Sequence, residues 1–153
     1  MKGTAFRDRD NQALHEKKMN ESVRMAVSRQ NIEFILAHQH DSAEELSSYL
    51  HKCKEGLGHV PVQAEVLGGE LLTLRFGSWV KALEESGLQD PTGHAAKNFP
   101  IERTALFQAE YKRQSALHVQ QKKARKKQAA ADRRERKSQK RREKNAAAAG
   151  GSK

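Results

Sequence analysis

The sequence predicts an all-α protein, with a small helix-turn-helix-like module followed by a long basic C-terminal helix or a disordered tail. Apolar residues recur at helical spacing between about residues 23 and 88, and glycines and prolines separate the runs. The apolar run IEFIL lacks a second strand pattern with which it could pair. With 36% hydrophobic residues, the chain is expected to have a small core.

The first forty residues predict an arm and one helix. Residues 1–20 are polar and charged, which favours a flexible or weakly helical arm. Residues 21–40 have apolar side chains at helical spacing, but the pattern changes phase near Gln30-Asn31. We therefore expect the helix to be interrupted there.

The next segment, residues 42–88, predicts a module of short helices. Asp41 or Ser42 can cap the first of these, and Glu45 completes a capping box with Ser42. Gly56 and Gly58 are expected to terminate this helix. The apolar stripe on it comprises Leu46, Tyr49, Leu50, Cys53 and Leu57.

Turn residues divide the rest of the module. Pro61 suits the first position of a helix, and Gly68-Gly69 ends that helix before another starts at Glu70. Ser78 can cap a short helix that Gly87 terminates, with Leu88 touching its last turn. The predicted core comprises Leu46, Leu50, Cys53, Val66, Leu74, Phe76, Trp79 and Leu83.

Three segments follow the module. Residues 89–99 have the composition of a linker. Residues 100–120, opened by Pro100, predict an amphipathic helix with a modest apolar face. Residues 121–153 are a basic tail with high helix propensity and nothing apolar to pack.

The net charge of +10 resides at the C-terminus, because residues 111–153 hold 16 Lys and Arg but 3 Asp and Glu. A polycation gains free energy by neutralising phosphates and releasing their counterions. Nucleic acid is therefore the expected partner, and a membrane or small-molecule substrate is not expected. The tail residues predicted to bind phosphates are Lys122, Lys123, Arg125, Lys126, Lys127, Arg133, Arg134, Arg136, Lys137, Lys140, Arg141 and Arg142.

Arg75, Ser78 and Lys81 are the candidate contacts within the module, since they lie at the helix junction and off the apolar positions. Two solvated surface cations are an equally weighted alternative. Trp79 could stack on a base, but its apolar neighbours favour a place in the core.

Catalytic and metal chemistry is not predicted. His38, His40 and Asp41 could supply metal ligands, yet no further ligand is close in sequence. Cys53 lies on an apolar stripe, which favours a structural thiol over a nucleophile served by His51 or His59. We expect no enzyme activity, no metal and no cofactor.

Four blocks carry a family resemblance: Gly58-His59-Val60-Pro61, Arg75-Phe76-Gly77-Ser78-Trp79, Lys81-Ala82-Leu83 and Ser86-Gly87-Leu88. They resemble the homing-endonuclease-associated repeat, whose units contain a G-x-x-P turn and an R-F-G-S-W-x-x-A-L-x-x-x-G-L block. The resemblance covers about residues 42–88 and implies a small helical nucleic-acid-binding unit. Those proteins usually carry several copies, whereas one is clear here, and the His-Asn-His nuclease centre is absent.

The leading hypothesis is a non-enzymatic nucleic-acid-binding protein, with DNA as its expected target. The module provides geometry and the tail provides phosphate affinity. One alternative is a protein associated with the ribosome or with structured RNA, and another is an adaptor that binds a partner protein through residues 100–120. The expected location is cytoplasmic, near nucleoid or ribosome, or nuclear or organellar in a eukaryote.

Overall fold

A computed structural model describes residues 4–90, 93, 95 and 99–151. Within these residues the fold is all-α, as predicted, and contains no strand. The helices are α1 (Thr4–His38), α2 (Ala43–Leu57), α3 (Gly69–Phe76), α4 (Trp79–Glu85) and α5 (Ala105–Ala149), with 3-10 turns at Gln63–Glu65 and Ile101–Arg103. The chain divides into two compact units, residues 1–112 and 113–153.

Helix α1 is continuous, so the predicted interruption near Gln30-Asn31 is wrong. It also includes residues 4–20, where an arm was expected. The change of phase has another cause: Val23 and Val27 are buried, while Ile32 and Leu36 are more than half exposed. Apolar residues therefore occupy two opposite faces of one helix.

Helix α2 begins with the predicted capping box and ends at the predicted Gly58, whereas Gly56, also expected to terminate it, lies inside the helix. The Ser42 hydroxyl accepts a hydrogen bond from the Glu45 N–H at 3.2 Å, and the Glu45 carboxylate accepts one from the Ser42 N–H at 2.8 Å. This capping box satisfies two N–H groups that the helix leaves unpaired. Gly58 follows the helix in the left-handed conformation, with φ 76°, and its N–H donates to the Lys54 carbonyl.

The predicted helix from Pro61 is wrong. Pro61 precedes a 3-10 turn, Gln63–Glu65, whose Glu65 carboxylate accepts a hydrogen bond from the Val62 N–H at 2.9 Å. The next α-helix, α3, starts at Gly69.

Helices α3 and α4 are joined at Gly77, and α4 ends in the predicted C-terminal cap. This C-terminal cap is formed by Ser86, Gly87 and Leu88. The Gly87 N–H donates to the backbone carbonyl of Glu84 at 3.0 Å, and the Leu88 N–H donates to the backbone carbonyl of Leu83 at 2.9 Å. Gly87 is left-handed, with φ 70°. Leu88 is buried beside the last turn, as predicted.

The main core is formed by the module, but its predicted composition needs two corrections. Leu74 is 82% exposed, and Leu72 is fully buried in its place. Cys53 is only partly buried. Leu46, Leu50, Val66, Phe76, Trp79 and Leu83 are buried as predicted.

A second small cluster packs α1 against the start of α5. Phe107 is buried with Val23 and Val27. The 3-10 turn after Pro100 precedes α5, and the Thr104 hydroxyl accepts a hydrogen bond from the Phe107 N–H at 3.2 Å. Pro100 therefore does not itself open the α-helix.

The linker is only partly described. Ala95 is buried against the main core, and its N–H donates to the Asp90 carboxylate at 2.7 Å. Residues 91, 92, 94 and 96–98 of the predicted linker lie outside the described residues.

Helix α5 contains residues 105–120 of the predicted amphipathic segment and most of the basic tail. From residue 116 to residue 151 every described residue is exposed. None of the helices in the described ranges is long and apolar enough to cross a membrane.

Candidate nucleic-acid interface

The α3–α4 junction holds Ser78 and Lys81 together. Gly77 adopts φ 94°, which turns the chain sharply, and Ser78 then caps α4. The Ser78 hydroxyl oxygen accepts the Lys81 N–H at 3.1 Å. Lys81 is exposed, and its Cδ lies 3.8 Å from where a Cβ at Gly77 would be, so its aliphatic stem lies beside the turn. The hydroxyl that was predicted to contact phosphate therefore also caps the helix.

Trp79 fixes this junction from the inside. Its side chain is 7% exposed, and its indole N–H donates to the Pro61 carbonyl at 3.2 Å. The bond satisfies the one polar group of a buried indole. Trp79 is thus a core residue, as predicted, and its ring faces are not open to a base.

Arg75 has a contact that the sequence did not suggest. Its Nη2 donates to the Gln39 carbonyl at 2.9 Å, just beyond the end of α1. A cation at a helix C-terminus also interacts favourably with the partial negative charge there. Arg75 therefore connects α3 to α1, and one of the five N–H donors of its guanidinium group is used in doing so.

Two further residues position the module and were missed by sequence reasoning. Asn31 Oδ1 accepts the Gly68 N–H at 2.9 Å, and the Tyr49 hydroxyl donates to the Leu67 carbonyl at 2.9 Å. Both bonds hold the chain that enters α3. A polar Asn in an otherwise helical run was the available signal, but its partner lies 37 residues away.

In the second unit, the basic residues of α5 are concentrated on one side. At about 100° per residue, eleven of the twelve predicted tail residues lie within an arc of about 200°. Arg142 lies on the opposite side, with Ala124, Ala131 and Glu135. The eleven are Lys122, Lys123, Arg125, Lys126, Lys127, Arg133, Arg134, Arg136, Lys137, Lys140 and Arg141.

The density of this charge is high. Residues 122–144 hold 13 Lys and Arg and 3 Asp and Glu, and as a helix they span about 33 Å. The net charge is therefore about one per 3.3 Å, close to the phosphate spacing of about 3.4 Å along one DNA strand.

His38, His51 and Cys53 of the first unit lie in structural environments. His38 Nδ1 lies 2.6 Å from an Asp41 carboxylate oxygen, and the His38 ring stacks on Phe34. Burial raises the pKa of the Cys53 thiol, which favours the unreactive protonated form. His51 lies 2.6 Å from the Ser86 carbonyl and can donate to it. Over the described residues, no group of three His, Cys, Asp or Glu could hold a metal ion.

Comparison with known proteins agrees with the module boundaries. Residues 41–89 match the model of the homing endonuclease associated repeat, in a single copy. No curated protein and no solved structure matches the chain. The matched segment contains α2, α3, α4 and the junction that carries Arg75, Ser78 and Lys81.

Proposed function

We propose that this protein binds nucleic acid without an enzymatic activity, that the repeat module supplies geometry, and that the basic side of α5 supplies phosphate affinity. The observation that carries the proposal is the one-sided charge of residues 122–144. The match to the repeat model supports the nucleic-acid association. Because the family name refers to homing endonucleases, duplex DNA is the proposed target.

The one-sided distribution of basic residues on α5 favours a role in binding over a role in solubility alone. Charge spread evenly around a helix would keep the chain soluble equally well. A basic arc instead lets a single helix face neutralise many phosphates at once, and each neutralised phosphate releases counterions. About ten such contacts predict a slope near −9 for the logarithm of affinity against the logarithm of salt concentration.

The tail is tested by neutralising five residues of the basic arc to Gln: Lys123, Lys127, Arg134, Lys137 and Arg141. Gln preserves helix propensity while removing charge. We expect weaker binding to a duplex DNA and a salt slope that is shallower by up to about 4.5. An unchanged slope would refute the electrostatic part of the proposal.

Neighbouring residues provide a matched control. Arg141 and Arg142 are adjacent in sequence but lie about 100° apart around the helix. Arg141→Gln should weaken binding more than Arg142→Gln does. Equal effects would show that the tail acts through total charge and that its basic face has no separate role.

The module is tested by Lys81→Glu, which reverses an exposed charge at the junction. Because the Lys81 backbone N–H makes the Ser78 cap, the substitution leaves that bond available. We expect weaker DNA binding with unchanged unfolding by urea. Unchanged affinity would refute the geometric role of the junction while leaving the tail intact.

The RNA alternative is tested by competition at one salt concentration between a DNA duplex and a structured RNA of equal length. The proposal expects the DNA to compete better. The adaptor alternative is weakened by the first unit, since Phe107 is buried against Val23 and Val27 and is not exposed to a partner. Leu117 and Val119 are the exposed large apolar residues in this part of α5.

A further inference from the structure

Helix α1 carries a second apolar stripe, which is exposed and lies on a different side from the residues that the helix buries in the first unit. Leu14, Met25, Ile32 and Leu36 are each more than half exposed. The buried residues Val23 and Val27 lie on the opposite side, about 160° from Met25 around the helix axis. A helix that is apolar on two sides has a second face, which the first unit leaves mostly exposed.

This stripe is symmetric about Met25. Leu14 and Leu36 lie eleven residues from Met25, Lys18 and Ile32 lie seven, and Glu21 and Arg29 lie four. At about 100° per residue, all of these positions fall within about 40° of Met25 around the helix axis. The seam formed by Leu14, Lys18, Glu21, Met25, Arg29, Ile32 and Leu36 is therefore spaced identically in both directions along the helix.

Such a seam fits a second copy of itself running in the opposite direction. In an antiparallel pair related by a two-fold axis at Met25, Leu14 of one copy lies against Leu36 of the other. Glu21 lies against Arg29, so opposite charges meet twice. Isologous contacts of this kind are self-complementary and closed.

Lys18, the remaining charged residue of the seam, also finds suitable neighbours in the antiparallel pair. Lys18 lies opposite Ile32 of the second copy, where its aliphatic stem can cover the apolar side chain. Its ammonium group then comes near Glu33, which adjoins Ile32. In a parallel pair in register, Lys18, Glu21 and Arg29 would each face their own copies, and like charges would repel.

The first half of α1 provides an independent reason for a partner. Residues 8–18 are exposed all around the helix. An isolated helix of this length is marginal in water, because most helix stability comes from packing an apolar face. Pairing about Met25 places Leu14 against the second half of the other copy and gives this segment a surface to pack on.

We infer that the protein forms an antiparallel homodimer through α1, centred on Met25. The apolar contact is limited to four side chains per copy, so the dimer belongs to the weaker class of interfaces and dissociates on dilution. This inference does not depend on the proposed binding of nucleic acid.

The test is charge exchange in the full-length chain, freed of nucleic acid and followed by sedimentation from micromolar to millimolar concentration. Glu21→Arg alone and Arg29→Glu alone should each shift the chain toward monomer, because each places like charges together twice. The double variant Glu21→Arg/Arg29→Glu should restore the dimer. Glu21 and Arg29 are eight residues apart on one helix, so restoration requires contact between copies.

A second variant removes the apolar centre. Met25→Asp places two carboxylates together at the two-fold axis and should give a monomer with unchanged circular dichroism, since Met25 is 67% exposed. A wild-type monomer throughout the concentration range would overturn the inference. A dimer that survives Met25→Asp, or single charge variants that the double variant fails to rescue, would also overturn it.

Discussion

Asn31 and Gly68 form one of the contacts through which α1 holds the module. The Asn31 side-chain oxygen accepts the Gly68 N–H at 2.9 Å, and Gly68 has φ 71°. A Cβ at Gly68 would overlap the ring of Phe34, which lies one turn after Asn31 on α1. Glycine is required here for two reasons, since the backbone is left-handed and α1 lies directly against it.

Gly68→Ala is therefore expected to destabilise the first unit strongly. The left-handed conformation costs about 1–2 kcal/mol for a residue with a side chain, and the overlap with Phe34 adds about 1–3 kcal/mol. Urea unfolding monitored by circular dichroism measures the total loss.

Two other glycines separate these contributions. Gly87→Ala meets the same backbone conformation, with φ 70° and no atom within 4 Å of the added Cβ, so it should show only the backbone cost. Gly56→Ala lies inside α2 with open space around it and should stabilise by about 0.5–1 kcal/mol. Equal losses at Gly68 and Gly87 would contradict the close approach of α1.

Much of the module could be predicted from its sequence because local signals determine it. The capping box at Ser42 and Glu45 and the Gly87 cap involve residues a few positions apart, and propensity rules describe such pairs well. The Ser78 cap is local in the same sense. These features needed no knowledge of the tertiary fold.

The errors arose where distant residues decide the structure. Leu72 and Leu74 are both apolar, and only the direction of α3 against the core buries the first and exposes the second. The Arg75 contact with Gln39 spans 36 positions, so no local pattern indicates it. At the candidate interface, residue types were therefore predictable, but their structural partners were not.

Ser78 allows the capping and phosphate-binding roles to be separated. Ser78→Ala removes the oxygen that accepts the Lys81 N–H and should cost about 1 kcal/mol of stability. Ser78→Asp keeps a capping oxygen and adds a negative charge, which suits a helix N-terminus but repels phosphate. We expect this variant to retain wild-type urea unfolding and to bind duplex DNA less tightly.

The matched control for the cap is Ser48→Ala, an exposed substitution within α2. It should leave stability unchanged or slightly higher, because Ala has the better helix propensity. If Ser78→Asp binds DNA as tightly as the wild type does, Ser78 has no role in phosphate contact.

Trp79 provides a spectroscopic test of its buried position, because it is the only Trp in the chain. A 7% exposed indole that donates to the Pro61 carbonyl should emit at short wavelength and resist quenching by iodide. Adding nucleic acid should leave the emission nearly unchanged, since no base can stack on a buried ring. Strong quenching on binding would show that Trp79 reaches the ligand.

Cys53 gives a prediction that depends on pH. Burial raises the pKa of its thiol, so the folded state holds the proton more tightly than the unfolded chain does. The resulting stabilisation is fully present below the unfolded pKa of about 8.5 and is lost as the pH rises through the folded pKa. Cys53→Ala should therefore reduce the alkaline loss of stability measured by urea unfolding from pH 8 upward.

Burial should also lower the reactivity of the Cys53 thiol in the folded protein. Because thiolate is the attacking form, the folded protein should react slowly with an aromatic disulfide reagent at pH 8 and rapidly in urea. The comparison is the double variant Cys53→Ser/Val80→Cys, since Val80 is 48% exposed and a thiol there should react quickly in the folded state. Equal rates at the two positions in the folded protein would mean that Cys53 is accessible and ionises normally, and the alkaline prediction would then fail with it.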